Sequence, residues 1–299
     1  MIVHVETCRL CHLDAELQDS HIVPAFVYRW QKNTSSTGYL RFGRQVNRRV
    51  QDGIKPKLLC QKCEICLNVW ETQFANNFFM PFHEDTHTNF EYEEWMAKFC
   101  VSISWRVLSY MQEFFPESRF NARHGKGSQR AISVWEDFLL GKRSDLDCFE
   151  QHLVPLGEIA ETDGCLPANF QRYLMRAVEI ERLWGNDSAF TFAKLGRVIL
   201  IGFIYEPQVS LWKGTKVNTE KGIIAPCRLE LPDWLLKDLT GRANRLAQLQ
   251  TQISPKQHAI IDCTLKANPQ KVMQSETLRA LMADYRLRGN SASNDGGDK

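Results

Sequence analysis

Hydrophobic positions change period several times along the chain, and each change marks an element. ELQDSHIVPAF (16–26) reads as a short strand running into a turn that Pro24 closes. TGYLRFGRQV (37–46) reads as a strand or hairpin arm punctuated by Gly38 and Gly43. From Glu64 the period lengthens: ICLNVWETQFANNFF places Leu67, Trp70 and Phe74 at helical spacing, with no Gly or Pro before Pro81. Trp95, Phe99, Ile103, Val107, Met111 and Phe115 recur every four residues, the stripe of a buried amphipathic helix. In LPANFQRYLMRAVEIERLWG, Phe170, Leu174, Ala177, Ile180 and Leu183 predict another helix, stopped by Gly185. Ser254 as N-cap and Pro255 in the first turn open a helix over SPKQHAIIDCTLKANP that ends before Pro269. FTFAKLGRVILIGFIY and KGIIAPCRLEL read as strands, with a buried helix left open for the first, and the polar end GNSASNDGGDK reads as disordered.

Composition fits that pattern to a globular protein. The chain has 299 residues, 43% hydrophobic and 24% charged, enough to bury a sizeable core in about two domains. Its longest strongly apolar run, VILIGFIY, is far shorter than the roughly 18 to 20 residues of a membrane helix. The start, MIVHVETCRLC, has an acid and a cysteine pair where a signal peptide carries a basic start and a longer apolar stretch, so the expectation is a cytoplasmic address with no membrane partner.

Ten cysteines in a reducing compartment are not a disulfide scaffold. Cys8 and Cys11 form one C-x-x-C and Cys60 and Cys63 a second, four thiolates at the spacing of a structural Zn²⁺ site. Cys66, one helical turn further on, stays open as an alternative ligand; Cys100, Cys148, Cys165, Cys227 and Cys263 read as small buried hydrophobes.

The net charge of +2 hides a local excess. Residues 29–62 carry nine Lys or Arg against Asp52 alone, a net +8 that leaves about −6 for the rest of the chain. Arg41, Arg44, Arg48 and Arg49 lie there with Tyr28, Trp30, Tyr39 and Phe42 interleaved, which fits contacts to nucleic-acid phosphates, and zinc closure is expected to fold this segment onto the same small module as the knuckles. By contrast, EDTHTNFEYEE (84–94) has five acids and no Lys or Arg and marks a domain boundary. Just before and within it, His83 and His87 have helical i, i+4 spacing but lack the full H-E-x-x-H zinc pattern. NARHGKGSQR lacks the G-K-[ST] of a phosphate loop and reads as a loop whose Arg123, His124, Lys126 and Arg130 add backbone contacts to nucleic acid.

C-x-x-C, then SHIVP, then LLC-x-x-C-E resembles the HNH endonucleases of the zinc-containing ββα-metal (treble-clef) type over about residues 5–80. The resemblance implies a zinc-stabilised ββα-metal domain at 1–90; beyond it, periodicity predicts a mainly helical domain with a few strands at 91–287 and composition a disordered tail at 288–299, an α+β chain as a whole. It implies metal-dependent cleavage or nicking of DNA, with His21 as the general base that deprotonates water; imidazole suits that task because its ordinary titration lies near neutral pH. A catalytic Mg²⁺ or Mn²⁺ falls to Glu64, at the position after the second knuckle, with Glu71 two helical turns on as a further acid. Ser20 stands where the family has a metal-binding carboxylate, and Asp19 beside it is a possible substitute. Asn47 is the candidate for the middle asparagine, having the better chain order, with Asn68 open. By analogy alone, small zinc-knuckle nucleases joined to an unassigned helical domain are similar to effectors of bacterial anti-phage defence, which implies other defence-system proteins, or a homodimer, as partners. The alternative is a catalytically inactive zinc module that binds nucleic acid or a partner protein.

Overall fold

The computed structural model describes residues 5–43, 45–86, 89–116, 122–159, 166–185, 187–225 and 230–294. In chain order, β1 (Glu6–Thr7), β2 (Asp14–Ala15) and β3 (Leu17–Asp19) precede α1 (Ala25–Asn33), β4 (Leu40–Phe42), β5 (Gln45–Val50), β6 (Lys57–Cys60) and α2 (Gln61–Phe74). A π-helical stretch, Ala75–Phe79, leads to α3 (Met80–His83), β7 (Phe90–Tyr92), α4 (Glu94–Phe114), α5 (Ala122–Leu139) and β8 (Gln151–Pro155). Then come α6 (Phe170–Arg176), β9 (Val178–Trp184), β10 (Ala189–Leu195), β11 (Val198–Tyr205), β12 (Gly222–Ile224), α7 (Asp233–Gln250), α8 (Pro255–Ala267), α9 (Pro269–Met273) and α10 (Glu276–Asn294). The class is mixed α and β with small sheets. Among the described residues no helix is long and apolar enough to cross a membrane.

Two compact units emerge, and neither is one continuous segment. The first comprises Met1–Pro24, Ile54–Pro155 and Val178–Leu231; the second comprises Ala25–Gly53, Leu156–Ala177 and Pro232–Lys299. This division does not fall at the expected boundaries of 90 and 287, and α10 continues to Asn294, past the start of the expected tail.

In the first unit, β8, β11, β10 and β9 form an antiparallel sheet in the order β8-β11-β10-β9. The hairpin β10–β11 is the pair of strands expected from FTFAKLGRVILIGFIY, and every residue of β10 is buried. Helix α4 packs against all four strands and against α2 and α5, so its fourteen consecutive residues Trp95–Leu108 are all buried, not one stripe of them. The stretch expected to be helical up to Gly185 instead ends at Arg176: Ala177 turns extended, and VEIERLW pairs with β10 as an edge strand. Its β-branched and aromatic residues suit a pleated surface, and the ladder hydrogen bonds of β10 outweigh a helical period carried by few residues.

Lys194, fully buried on β10, donates to the Gly196 carbonyl and lies opposite Glu179 in the ladder. Burial pushes its ammonium down to about 7, with Glu179 pulling it partly back. The unfolded chain holds that proton up to about pH 10.4 and the folded chain releases it near 7, so this group destabilises the fold below pH 7. As pH climbs from 7 towards 10 the penalty is relieved, by at most about 1.4 kcal/mol per pH unit. Urea unfolding of Lys194→Met and the parent at pH 7 and pH 9 is expected to show the larger gain for the variant at pH 7; an equal difference at both values contradicts this reading.

The second unit includes the basic segment. Helix α1 buries Phe26, Val27 and Trp30, and it is tied to α6: Gln31 Nε2 donates to the Arg176 carbonyl (2.7 Å), Arg176 Nη1 donates to Thr34 Oγ1 (2.6 Å), and the Arg176 guanidinium lies 4.7 Å from the Trp30 ring centre. Past β5, Tyr28 packs against Gly53, where any β-carbon would fall 2.2 Å from the ring. Ser36 and Ser275 share a buried hydrogen bond (2.8 Å), while Asp284 of α10 accepts from Gln171 N (2.8 Å) and Arg172 Nε (2.8 Å). Residues 25–53 therefore belong to a core built with α6 and α10, and the expectation that they fold onto the zinc module is corrected. The expected N-cap holds: Ser254 Oγ accepts from Gln257 N (3.4 Å) at the start of α8.

Candidate metal centre and its histidine

Two short turns deliver the four thiols. In the first, Cys8 N donates to the Leu13 carbonyl and His12 N to the Cys8 carbonyl, both at 2.9 Å, and His12 adopts the left-handed region (φ 59°) to bring Cys11 back over Cys8. Strands β1 and β2 close this knuckle, and Arg9 N fastens it to the Leu58 carbonyl of β6 (3.0 Å). In the second, β6 pairs with β3 in the register Leu17↔Cys60, and Cys60 is the N-cap of α2 with Cys63 in its first turn. The ligand atoms of Cys8, Cys11, Cys60 and Cys63 all lie within 4.8 Å of one another, and Cys11 Sγ is 3.8 Å from Cys60 Sγ. A tetrahedron with Zn–S bonds of 2.3 Å has edges of about 3.8 Å.

The electrostatics fit a cation. Burial acts to raise the Cys8 thiol, but hydrogen bonds from the backbone of Cys11, Cys60 and Leu10 outweigh it and bring it down to about 7; Cys60 N lies 3.3 Å from its sulfur. Burial, then the neighbouring thiols, pushes Cys63 well up, and burial also raises Cys11. Four sulfurs this close cannot all ionise unaided, and a bound Zn²⁺ removes the conflict. Among the described residues this is the one group of three or more His, Cys, Asp or Glu close enough to hold a metal.

Cys66 is exposed on α2 and outside the group. Cys66→Ser is accordingly expected to keep full zinc content by metal analysis; loss of zinc would make it a ligand. Of the cysteines read as buried hydrophobes, Cys100 is buried but Cys148 and Cys263 are exposed, and Cys165 and Cys227 lie outside the described residues.

His21 follows β3, between two buried neighbours, Ser20 and Ile22, with its Nε2 shielded from solvent. Backbone bonds from Ser20 N to the Pro56 carbonyl (2.9 Å) and from Ile22 N to the Ile54 carbonyl (3.2 Å) flank it. The Ser20 side chain is committed to that pairing: its Oγ accepts from Leu59 N (3.2 Å) and donates to the Gln18 carbonyl (3.4 Å). Asp19 is exposed and paired with Lys57 (3.2 Å). Glu71 is paired with Arg106, Oε1 to Nη1 at 2.7 Å. Glu64 differs from these acids: its Oε1 is shielded from solvent and has no hydrogen-bond partner among the described residues.

Asn47 is in the second unit, where Nδ2 donates to the Gln252 carbonyl (3.1 Å) and Oδ1 accepts from Ser254 N (2.8 Å). Asn68 is exposed on α2. Arg41 and Arg49 face each other across β4 and β5, and both guanidiniums lie over Tyr39, at 5.3 and 4.0 Å. Arg41 also donates to the Val46 carbonyl (2.7 Å), Arg48 and Arg49 are exposed, and Arg44 lies outside the described residues. His83 is buried, with Nδ1 against the Phe79 carbonyl (2.8 Å) and Nε2 accepting from Arg197 N (3.0 Å), so both ring nitrogens are used; His87 is outside the described residues. The expected loop NARHGKGSQR is helical from Ala122 as part of α5, with the side chains of Arg123 and His124 outside the described set.

Compared with family models, with curated proteins and with solved structures, this chain finds no match. What the site can do therefore rests on its own chemistry. The residue that sequence reasoning missed is Arg106, and its signal was visible: a cation inside the apolar run SISWRVLSY of a helix buried on every side.

Proposed function

We propose that the knuckles, the β3–β6 pair and α2 form a zinc-stabilised nuclease module of the HNH, ββα-metal kind that hydrolyses phosphodiester bonds in DNA. In this reading Cys8, Cys11, Cys60 and Cys63 hold a structural Zn²⁺, and Glu64 holds a catalytic Mg²⁺ or Mn²⁺. When bound, that ion supplies charge stabilisation at the phosphoryl and leaving oxygens. His21 takes the proton from the attacking water.

One observation carries the reading. Glu64 directly follows the second zinc pair, and its shielded Oε1 lacks a hydrogen-bond partner among the described residues. A carboxylate oxygen kept from water without a donor is unfavourable, and a cation that meets it removes the cost. Ser20 and Glu71 are not used as ligands here, because the first is bonded into the strand pair and the second is neutralised by Arg106.

That same commitment of Ser20 and Glu71 favours a second reading, a zinc module that binds nucleic acid or a protein without cutting. Titrating Mg²⁺ and Mn²⁺ into a DNA cleavage reaction separates the two. The nuclease reading expects metal-dependent scission that falls at least about a hundredfold in Glu64→Gln at equal zinc content. Salt-sensitive DNA binding with no scission under either metal supports the second reading, and scission unchanged in Glu64→Gln removes Glu64 from the site.

A further inference from the structure

We infer that Arg106, contributed by α4 outside the segment that carries the motif, fixes the placement of His21, so that α4 is a working part of the candidate site and not a neighbouring domain. Its guanidinium is 1% exposed, a charge stripped of water that needs every donor satisfied. Nε donates to the Ser102 carbonyl (3.2 Å) and Nη2 to Ser102 Oγ (3.3 Å), which lock the group to its own helix. Nη1 then bridges two elements, reaching the His21 carbonyl at 2.7 Å and Glu71 Oε1 at 2.7 Å. One nitrogen therefore joins the backbone of the motif histidine to the helix that carries Cys63 and Glu64.

His21 needs such a hold. Strand β3 has three residues and its register slips between Gln18 and Asp19, while the flanking bonds to Pro56 and Ile54 come from residues 20 and 22. The carbonyl of His21 itself is met by Arg106. Glu71 has a matching role: it balances the buried guanidinium, and its carboxylate is thereby withdrawn from metal binding. The neighbouring residue adds a second attachment, since Trp105 Nε1 donates to Glu136 Oε1 (3.1 Å) and Glu136 Oε2 meets His12 Nε2 (3.1 Å) on the zinc knuckle. Arg9 of the knuckle also pairs with Glu113 of α4 (3.0 Å). A lysine cannot replace Arg106 here, because a single ammonium lacks the planar fork that serves Ser102, His21 and Glu71 together.

The consequence for cleavage rests on the proposed nuclease, whereas the placement of His21 does not, and the test keeps them apart. Histidine-selective ¹⁵N and ¹³C NMR of the full zinc-loaded chain, with His21 assigned by its absence in His21→Ala, reads the ring directly. Arg106→Lys, and Glu71→Gln as a milder variant if the first does not fold, are expected to keep one zinc and to move and broaden the His21 signals. Where the parent cleaves DNA, kcat is expected to fall roughly tenfold to a hundredfold with DNA affinity unchanged, the size of a small misplacement of a reacting group. His21 signals that superimpose on the parent's in a folded variant would overturn the inference. A parent that never cleaves, together with shifted His21 signals in the variants, upholds the placement and counts against the nuclease alone.

Discussion

Stripping zinc from this chain is expected to unfold the module that carries His21 while leaving the four-stranded sheet in place. The strands that frame the metal centre are two, two, three and four residues long, too short to persist on ladder hydrogen bonds alone. The apolar cover is small as well, with Leu10, Leu17, Leu58 and Leu59 as buried residues around the knuckles. Structural zinc in comparable small sites contributes on the order of 10–16 kcal/mol of apparent binding free energy, and here that binding is coupled to folding. The expected result is one zinc per chain by metal analysis. On chelation, amides of residues 6–19 and 57–63 should lose hydrogen-exchange protection while those of β10 and β11 keep theirs. Cys60→Ser and Cys63→Ser should behave as the chelated protein does. Unchanged protection without zinc would show that the four thiols pack as a hydrophobic cluster and not as a metal centre.

The second large effect is expected at His21. If its imidazole takes the proton from water, His21→Ala lowers scission by about a hundredfold to ten-thousandfold, the usual range for loss of a positioned base. The site is built so that this is a loss of chemistry and not of structure. Ile22 and Val23 stay buried, and the Arg106 bond is made to the backbone carbonyl of residue 21, which alanine retains. Zinc content and DNA affinity are therefore expected to be unchanged. Equal losses of binding and scission would instead mark His21 as part of a contact surface.

The parts of this molecule legible in its sequence are those governed by neighbours along the chain. The cysteine pairs converge because each is a tight local turn, and the Ser254 cap is settled within four residues. The stripe from Trp95 marked α4 but understated its burial up to Leu108: with a sheet and two helices around it, the polar Ser102, Ser104 and Arg106 are buried as fully as Phe99, Ile103 and Val107, whereas Phe115 at the stripe's end is exposed. Helix α1 hid among basic residues, although Phe26, Val27 and Trp30 already have helical spacing after a proline. Along the sequence β9 looks like a continuation of α6, because Ile180 and Leu183 extend the helical stripe, and only the presence of β10 decides for the ladder. The interleaving of two units was beyond reach, since it depends on Arg176 and Ser275 meeting residues 31–36 from far along the chain. For the same reason chain order favoured Asn47 as a site residue, whereas its amide is used on Gln252 and Ser254. At the candidate site, the motif puts Ser20 at the metal-binding position and helical spacing offers Glu71 as a further acid; their partners Leu59 and Arg106 are long-range, and no spacing rule contains them.

The central claim is that His21 works on a scissile phosphodiester beside a zinc-held scaffold. Cleavage of supercoiled plasmid by the zinc-loaded chain, with Mg²⁺ or Mn²⁺ added and with His21→Ala at matched zinc content as the control, tests it most directly. The account predicts nicked or linear product that needs the added metal and disappears in His21→Ala. Scission that persists undiminished in His21→Ala, or intact plasmid under both metals with the chain folded and bound to it, would contradict it.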